Sequence, residues 1–363
     1  MARYLRIIVI GCAVLIVVGA AVLWPSGQQT TDPLGLESER IDAHVIAVDA
    51  APCNSDPTQP CSVVAFELRS GPRDGSQGFM ELGEQTSIRT GDDIQVTVFE
   101  TPEGQTIYSF YEFQRSTALL VLTALFAIAV IALARWRGIG ALAGLAVSLF
   151  VIVWFALPSL VDGNNAVSVA LVTAGAIAII AIYLAHGPGP ATDVALLSTF
   201  ASLTLTAILA WAFVRFAKLT GFTDDASFVL QALGTGIDAR GILLAGVVIG
   251  SLGVLDDVTV TQVSAVRELK LGRPDAARHE LFTSALAIGR DHISSTVNTL
   301  FLAYAGAALP LLLLFRGIGE SVGGVVTREI VAVEVVRAMV GSLGLIASVP
   351  ISTWLAVRVV TEV

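Results

Sequence analysis

The chain has 363 residues, of which 55% are hydrophobic and only 14% charged, and its formal net charge is -9. Water-soluble proteins average about 25% charged residues, so these few charges cannot cover the surface, nor can a single soluble core hide so much apolar side chain. A disordered, collagen-like or nucleic-acid-binding chain is excluded on the same grounds, since no basic cluster stands out. What remains is an α-helical membrane protein that crosses the bilayer several times.

Residues 5–24 form the first apolar run, so residues 1–24 are expected to be a transmembrane anchor. A cleaved signal peptide fits less well, because the run is long for an h-region and no small-x-small site follows. A lipid-modified Cys12 after Val9-Ile10-Gly11 fits less well again, because the apolar run continues well beyond the cysteine.

Residues 25–115 differ in kind. They hold 15 acidic and 5 basic residues and no long apolar run, whereas the rest of the chain is nearly balanced. That contrast marks a domain boundary. Runs at 41–48, 61–68, 93–99 and 106–113 are short and β-branched or aromatic, with Gly71, Gly75, Gly83 and Gly91 between them. They predict a small all-β domain of about five strands, a barrel for which the OB type is one form. Cys53 and Cys61 are the only cysteines in this segment. Outside the cytoplasm such a pair is expected to oxidise, with free thiols as the alternative. A metal pair is disfavoured, because His44 and the nearby acids lack ligand spacing. The acidity itself reads as a solvated surface, with recruitment of cations as the other reading.

From residue 116 to 363 seven further runs are long enough to cross the hydrocarbon: 116–134, 139–160, 166–185, 194–213, 242–265, 293–315 and 330–357. Gly341, Gly344 and Pro350 are expected to bend the last one. The predicted fold is thus about eight transmembrane helices, with the small all-β extracytoplasmic domain inserted after the first. Gly187-Pro188-Gly189-Pro190, after a structural His186, reads as a tight turn. The link 267–289 is expected to hold a turn at Gly272-Arg273-Pro274-Asp275 and then an amphipathic or partly re-entrant helix. With both termini in the cytoplasm, inner segments carry ten basic residues, among them Arg3, Arg6, Arg135 and Arg137, against five in the short outer loops. The positive-inside rule therefore places residues 25–115 outside.

Ionisable residues within a span are functional candidates by default. Asp256 and Asp257 follow only fourteen apolar or small residues counted from Ile242, too few to cross, so both carboxylates fall inside the bilayer if the helix continues. Asp257, Thr261, Ser264 and Glu268 then share one helical face. Asp291, Ser295 and Asn298 repeat the spacing on the next span, beside Arg290 and the titratable His292. Two such stripes facing one another across a wet cleft would suit a hard cation or a relayed proton. The plainer alternative is that the charges snorkel at the span ends, that Arg290 neutralises Asp291, and that the hydroxyls are packing glue. Glu334 is expected to pair with Arg337 one turn on. No H-E-x-x-H, G-x-x-x-x-G-K-[ST] or G-x-S-x-G motif occurs. The chain is therefore expected to be neither an enzyme nor an ATP-driven pump, and to need no cofactor. An intramembrane aspartyl protease would need two facing carboxylates in a defined context.

The segments Gly253-Val254-Leu255-Asp256-Asp257-Val258-Thr259-Val260-Thr261-Gln262 and Gly289-Arg290-Asp291-His292-Ile293-Ser294-Ser295-Thr296-Val297-Asn298-Thr299-Leu300 carry a resemblance. With Ala303-Tyr304-Ala305-Gly306 and the stretch from Gly341 to Pro350, they resemble the YibE/F-like family of bacterial membrane proteins. The resemblance covers most of the chain from about residue 116. It implies a seven-helix domain over 116–363, preceded by the β domain as in longer members, and a bacterial cell membrane location. It brings no assigned activity, and the cysteine pair lies outside its pattern. Two functions are expected to compete. One is a secondary transporter or permease for a cation- or proton-coupled solute. The other is a non-catalytic envelope scaffold whose β domain recruits a protein partner. The partners to consider are the lipid bilayer, a cation or proton, an envelope protein and a second copy of the chain.

Overall fold

The computed structural model describes residues 2–27, 40–53, 58–83, 87–101, 104–222, 238–317, 319 and 321–360. The chain divides into two compact units, Thr31–Ala129 and a helical unit made of Met1–Thr30 with Val130–Val363. The first helix therefore packs with the helices that follow the β segment.

The smaller unit contains five strands, β1 (Arg40–Pro52), β2 (Pro60–Leu68), β3 (Gln77–Gly83), β4 (Asp93–Glu100) and β5 (Thr106–Phe113). They form one antiparallel sheet in the order β3-β2-β1-β4-β5. The long β1 serves two partners, β4 along Arg40–His44 and β2 along Ala43–Pro52, with a register shift between Val45 and Ala47. Alternation along the strands puts Val45, Val64, Phe66, Ile94 and Val96 into a core with no exposed surface. The edge strands β3 and β5 lie against each other. Phe66 meets Tyr108 edge-on at 5.3 Å between ring centres. Gly78 is required beneath that ring, because a Cβ there would lie 2.6 Å from Phe66. Cys53 and Cys61 form a disulfide, with Cα atoms 4.9 Å apart, between the end of β1 and the start of β2. Glu81 lies near both sulfurs, but sulfurs bonded to each other offer no thiolate to a metal.

The helices are α1 (Ala2–Val22), α2 (Ser116–Ala134) and α3 (Trp136–Val151), the last passing through a π-helical turn at Ile152–Ala156 into α4 (Leu157–Val161). Then come α5 (Ala166–His186), α6 (Pro190–Phe216), α7 (Ala239–Gly272), α8 (Arg278–Ala307), α9 (Leu309–Gly317), α10 (Val322–Thr327) and α11 (Glu329–Val360). Seven helical stretches are long and apolar enough to cross a membrane, and an eighth crossing results if α8 and α9, bent by 58°, count as one. The seventh expected span at 293–315 is therefore this bent pair. In the link the expected turn at 272–275 and the helix after it are present, but that helix is not a separate amphipathic or re-entrant one: α7 continues to Gly272, and α8 begins at Arg278 and runs on into the next apolar stretch. Both continuations are rich in good helix formers, which hold the helix after the apolar run has ended. Pro350 lies inside α11 without ending it, as packing against neighbouring helices allows.

Helices α6, α7 and α11 pack on one another in the middle of this unit, with α5 and α8 beside them. Their contacts are unusually rich in hydroxyls: Thr199, Ser202, Thr206, Ser251, Thr259, Ser348 and Ser352 are all buried. Many close onto a backbone carbonyl one turn back, as Thr206 does to Ser202 at 2.8 Å and Ser251 to Val247 at 2.7 Å. Such bonds satisfy the hydroxyl inside its own helix. Small residues set the spacing. A Cβ at Gly344 would stand 1.9 Å from Thr206 Oγ1, and one at Gly289 would stand 2.4 Å from Val349 Cγ1.

Helix α1 is fastened along α5 and α6. Arg6 Nε donates to Asp193 Oδ2 at 3.3 Å, while the amide and hydroxyl of Ser26 both donate to Asp162, the hydroxyl at 2.8 Å. The expected tight turn at 187–190 is present, with Gly187 at φ 73° and Thr192 Oγ1 donating to its carbonyl at 2.7 Å.

Candidate functional site

Asp256 and Asp257 lie halfway along the 34-residue α7, about 25 Å from each of its ends at 1.5 Å per residue. Neighbours on a helix are 100° apart, so the two point differently. Asp256 is half-buried, whereas Asp257 is exposed on the chain's surface. The Oδ1 of Asp256 is buried and has no hydrogen-bond partner, in contrast to nearly every other buried polar atom described.

Hydroxyls lie near the Asp256 backbone. Thr259 Oγ1 donates to the Asp256 carbonyl at 3.0 Å and lies 2.7 Å from Thr199 Oγ1 on α6. Helices α6 and α7 are antiparallel, as the contact of Arg240 Nε with the Leu219 carbonyl at 2.9 Å requires. Ser202 and Asp256 therefore lie one turn from the Thr199–Thr259 contact in the same axial direction. The hydroxyl oxygen of Ser202 is also buried without a partner. A carboxylate and three hydroxyls are thus gathered at one depth, with two of their polar atoms unsatisfied.

The other expected residues are distributed otherwise. Thr261, Ser264 and Glu268 are exposed in a row with Asp257, so the predicted stripe on α7 exists but faces out of the chain. Asp291, Ser295 and Asn298 are likewise exposed on α8, and His292 is half-buried. The two stripes do not face one another across an enclosed cleft. Helix α8 packs through Leu286, Ile293 and Val297 against Val258, Leu345 and Val349, which turns Asp291, Ser295 and Asn298 to the opposite side. Among the described residues no hydrogen bond or ion pair joins the stripes. Glu334 does pair with Arg337, at 2.8 Å.

Two polar knots escape sequence reasoning. Gln262 is buried and its Nε2 donates to the Ala285 carbonyl and to Thr353 Oγ1, each at 2.7 Å, which ties α7, α8 and α11 together. Asp193, only 2% exposed, accepts from Tyr183 Oη at 2.7 Å as well as from Arg6. The available signal for Asp193 is an acid in the first turn of a helix opened by Pro190, where the helix dipole favours it. Nothing in the sequence points to its partners, which are remote along the chain.

An apolar helical bundle with a carboxylate midway along its longest helix, carried together with a separate antiparallel sheet unit, defines a multi-helix membrane protein. More narrowly, the chain belongs to the YibE/F-like protein family, which matches residues 122–362 and so takes in every helix from α3 to α11. No curated protein and no solved structure matches it.

Proposed function

We propose that the protein is a secondary transporter or permease in which Asp256 carries the coupling ion, a proton or a small hard cation. The observation that carries this reading is the buried, unpartnered Oδ1 of Asp256, within a helical turn of the depth at which the hydroxyls of Ser202, Thr199 and Thr259 lie. Inside a lipid-surrounded bundle an ionised carboxylate without a donor costs several kcal/mol. The group is therefore neutralised by a proton or by a bound cation, and exchange between loaded and empty states is what coupled transport needs. The exposed row Glu268, Ser264, Thr261 and Asp257 supplies a polar approach from one end of α7 to that depth. In this reading both termini are cytoplasmic, the sheet unit is an OB-like extracytoplasmic domain in a bacterial cell membrane, and neither cofactor nor enzymatic step is involved.

The test is uptake into proteoliposomes under an imposed proton or sodium gradient. Wild-type protein is expected to move one of the two ions. Asp256→Asn is expected to abolish that uptake, and Asp257→Asn to reduce it only partly. Full uptake by Asp256→Asn, or no uptake of either ion by the wild type, overturns the reading.

A further inference from the structure

We infer that Arg337 and Tyr304, set over a bare glycine face of α7, bind the carboxylate of a small solute. This names a substrate class for the transporter reading, and it rests on that reading for the solute's role as cargo but not for its binding. Neighbouring residues fix where the site lies. Gly246 faces Arg337, Gly341 faces Ser251 and Gln262 bonds to Thr353, so α7 and α11 run in the same direction. Helix α8 runs against them, with Tyr304 next to Gly250, Leu300 next to Gly341, and Gly289 next to Gln262 and Val349. Arg337 and Tyr304 thus meet α7 at Gly246 and Gly250, about 9–15 Å along the helix from Asp256 and toward the start of α7.

Arg337 Nη1 donates to Glu334 at 2.8 Å, which occupies one nitrogen of the guanidinium fork. Its Nε is buried and donates to nothing. Nε and Nη2 make up the edge of the fork that Glu334 leaves over. The Nη2 faces Gly246, where a Cβ would lie 3.7 Å from it, and Tyr304 Oη faces Gly250 one turn on, 3.5 Å from a Cβ there. Among the described residues neither Nη2 nor the Tyr304 hydroxyl has a hydrogen bond, although the charges of Arg337 and Glu334 both act on that hydroxyl. Consecutive turns of α7 are therefore faced by donors for which the chain supplies no acceptor. An arginine within a membrane-crossing stretch normally has its donors matched, so the missing acceptor points to a ligand.

Helix α7 leaves the room for it. Gly246, Gly250 and Gly253 extend the row of Asp257, Thr261, Ser264 and Glu268 at helical spacing, and all three are exposed. A Cβ at Gly253 would meet nothing within 4 Å. From the level of Arg337 to Asp257 this face of α7 is thus backbone alone, and a solute at Arg337 meets no α7 side chain on its way to the depth of the coupling carboxylate. The donor set selects the ligand. Parallel N–H groups on one edge of a guanidinium match the two oxygens of a carboxylate, and the phenol adds a further donor. Because Glu334 already balances the charge of Arg337, a singly charged group suits the site better than phosphate or sulfate. An amino acid brings an ammonium as well, for which Glu334 is the acceptor.

Binding is measured on the purified full chain in nanodiscs, with no gradient imposed, as the rise in melting temperature with ligand concentration. The probes are propionate and L-alanine, with phosphate and chloride at equal ionic strength as controls. The wild type is expected to be stabilised saturably by at least one of the two carboxylates and by neither control. Arg337→Lys keeps a charge opposite Glu334 but loses the fork, and Tyr304→Phe keeps the ring but loses the hydroxyl. Each is expected to melt near the wild type without ligand and to bind about tenfold more weakly, the equivalent of 1.4 kcal/mol. An advantage of L-alanine over propionate assigns the ammonium to Glu334, and equal binding leaves the carboxylate as the recognised group. Saturable carboxylate binding by a chain that moves no ion keeps this site and overturns only the transporter reading. The inference itself is overturned if neither carboxylate binds, if phosphate or chloride stabilises equally well, or if Arg337→Lys and Tyr304→Phe both bind like the wild type.

Discussion

Asp193 has almost no exposed surface, yet it serves two donors from different helices, Tyr183 on α5 and Arg6 on α1. Removing its carboxylate strands a phenol and a guanidinium together. Asp193→Ala is therefore expected to destabilise the helical unit by about 1–3 kcal/mol, the cost of leaving such groups unpaired. Arg6→Gln should cost less, because 54% of the Arg6 side chain is already in contact with solvent. Thermal unfolding of both single variants and the double variant in detergent measures this, and a double variant no worse than Asp193→Ala is the expected sign of coupling. At this scale the sequence is half informative. Periodicity correctly groups Asp257 with Thr261, Ser264 and Glu268, because spacing alone fixes which residues share a face. It does not say which face is buried, since α7 is apolar nearly all round. The stripe lies on the exposed side, and the adjacent Asp256 is the one with a buried carboxylate oxygen.

The contacts between helices depend on positions where no side chain fits. A methyl group at Gly344 would collide with Thr206, and one at Gly289 with Val349 and Gln262. Gly344→Ala and Gly289→Ala are each expected to cost about 1–3 kcal/mol, the usual penalty for overpacking. Gly306→Ala, which meets nothing within 4 Å, is expected to be neutral or slightly stabilising. Melting temperatures of the three purified variants separate these outcomes. The existence of the spans was legible, because twenty consecutive apolar residues have few other uses. Their ends were not. Hydropathy stops where charges begin, at Arg267 and Glu268, while the helix continues through Lys270 to Gly272 because charged side chains are good helix formers. The helix expected after the turn at 272–275 is likewise the opening of α8, which starts at Arg278 and runs without a break into the apolar stretch from Ile293.

The sheet unit has a core of its own, built from β1 to β5 and Ile88. Its acidity and its lack of an apolar run marked it off in the sequence. Its strand order was beyond reach, because the pairing of β1 with β4 joins distant segments that no local pattern records. The Cys53–Cys61 bridge closes a separation of 8 residues. Replacing both cysteines by serine is expected to lower the stability of this unit by about 2–3 kcal/mol, the loop-closure value for so short a ring. Urea denaturation followed by tryptophan-independent far-UV signal reads that loss, and an unchanged midpoint would contradict it. The fastening of α1 has a consequence for biosynthesis. Arg6 and Asp193 are 187 residues apart, so at about 5–20 residues per second the ribosome works for about 10–40 s before the counter-charge of Arg6 emerges. The partners on α5 and at Asp162 emerge before that, so the leading helix can begin to dock on them while its arginine still lacks an opposite charge, and its final seating belongs among the late events of assembly.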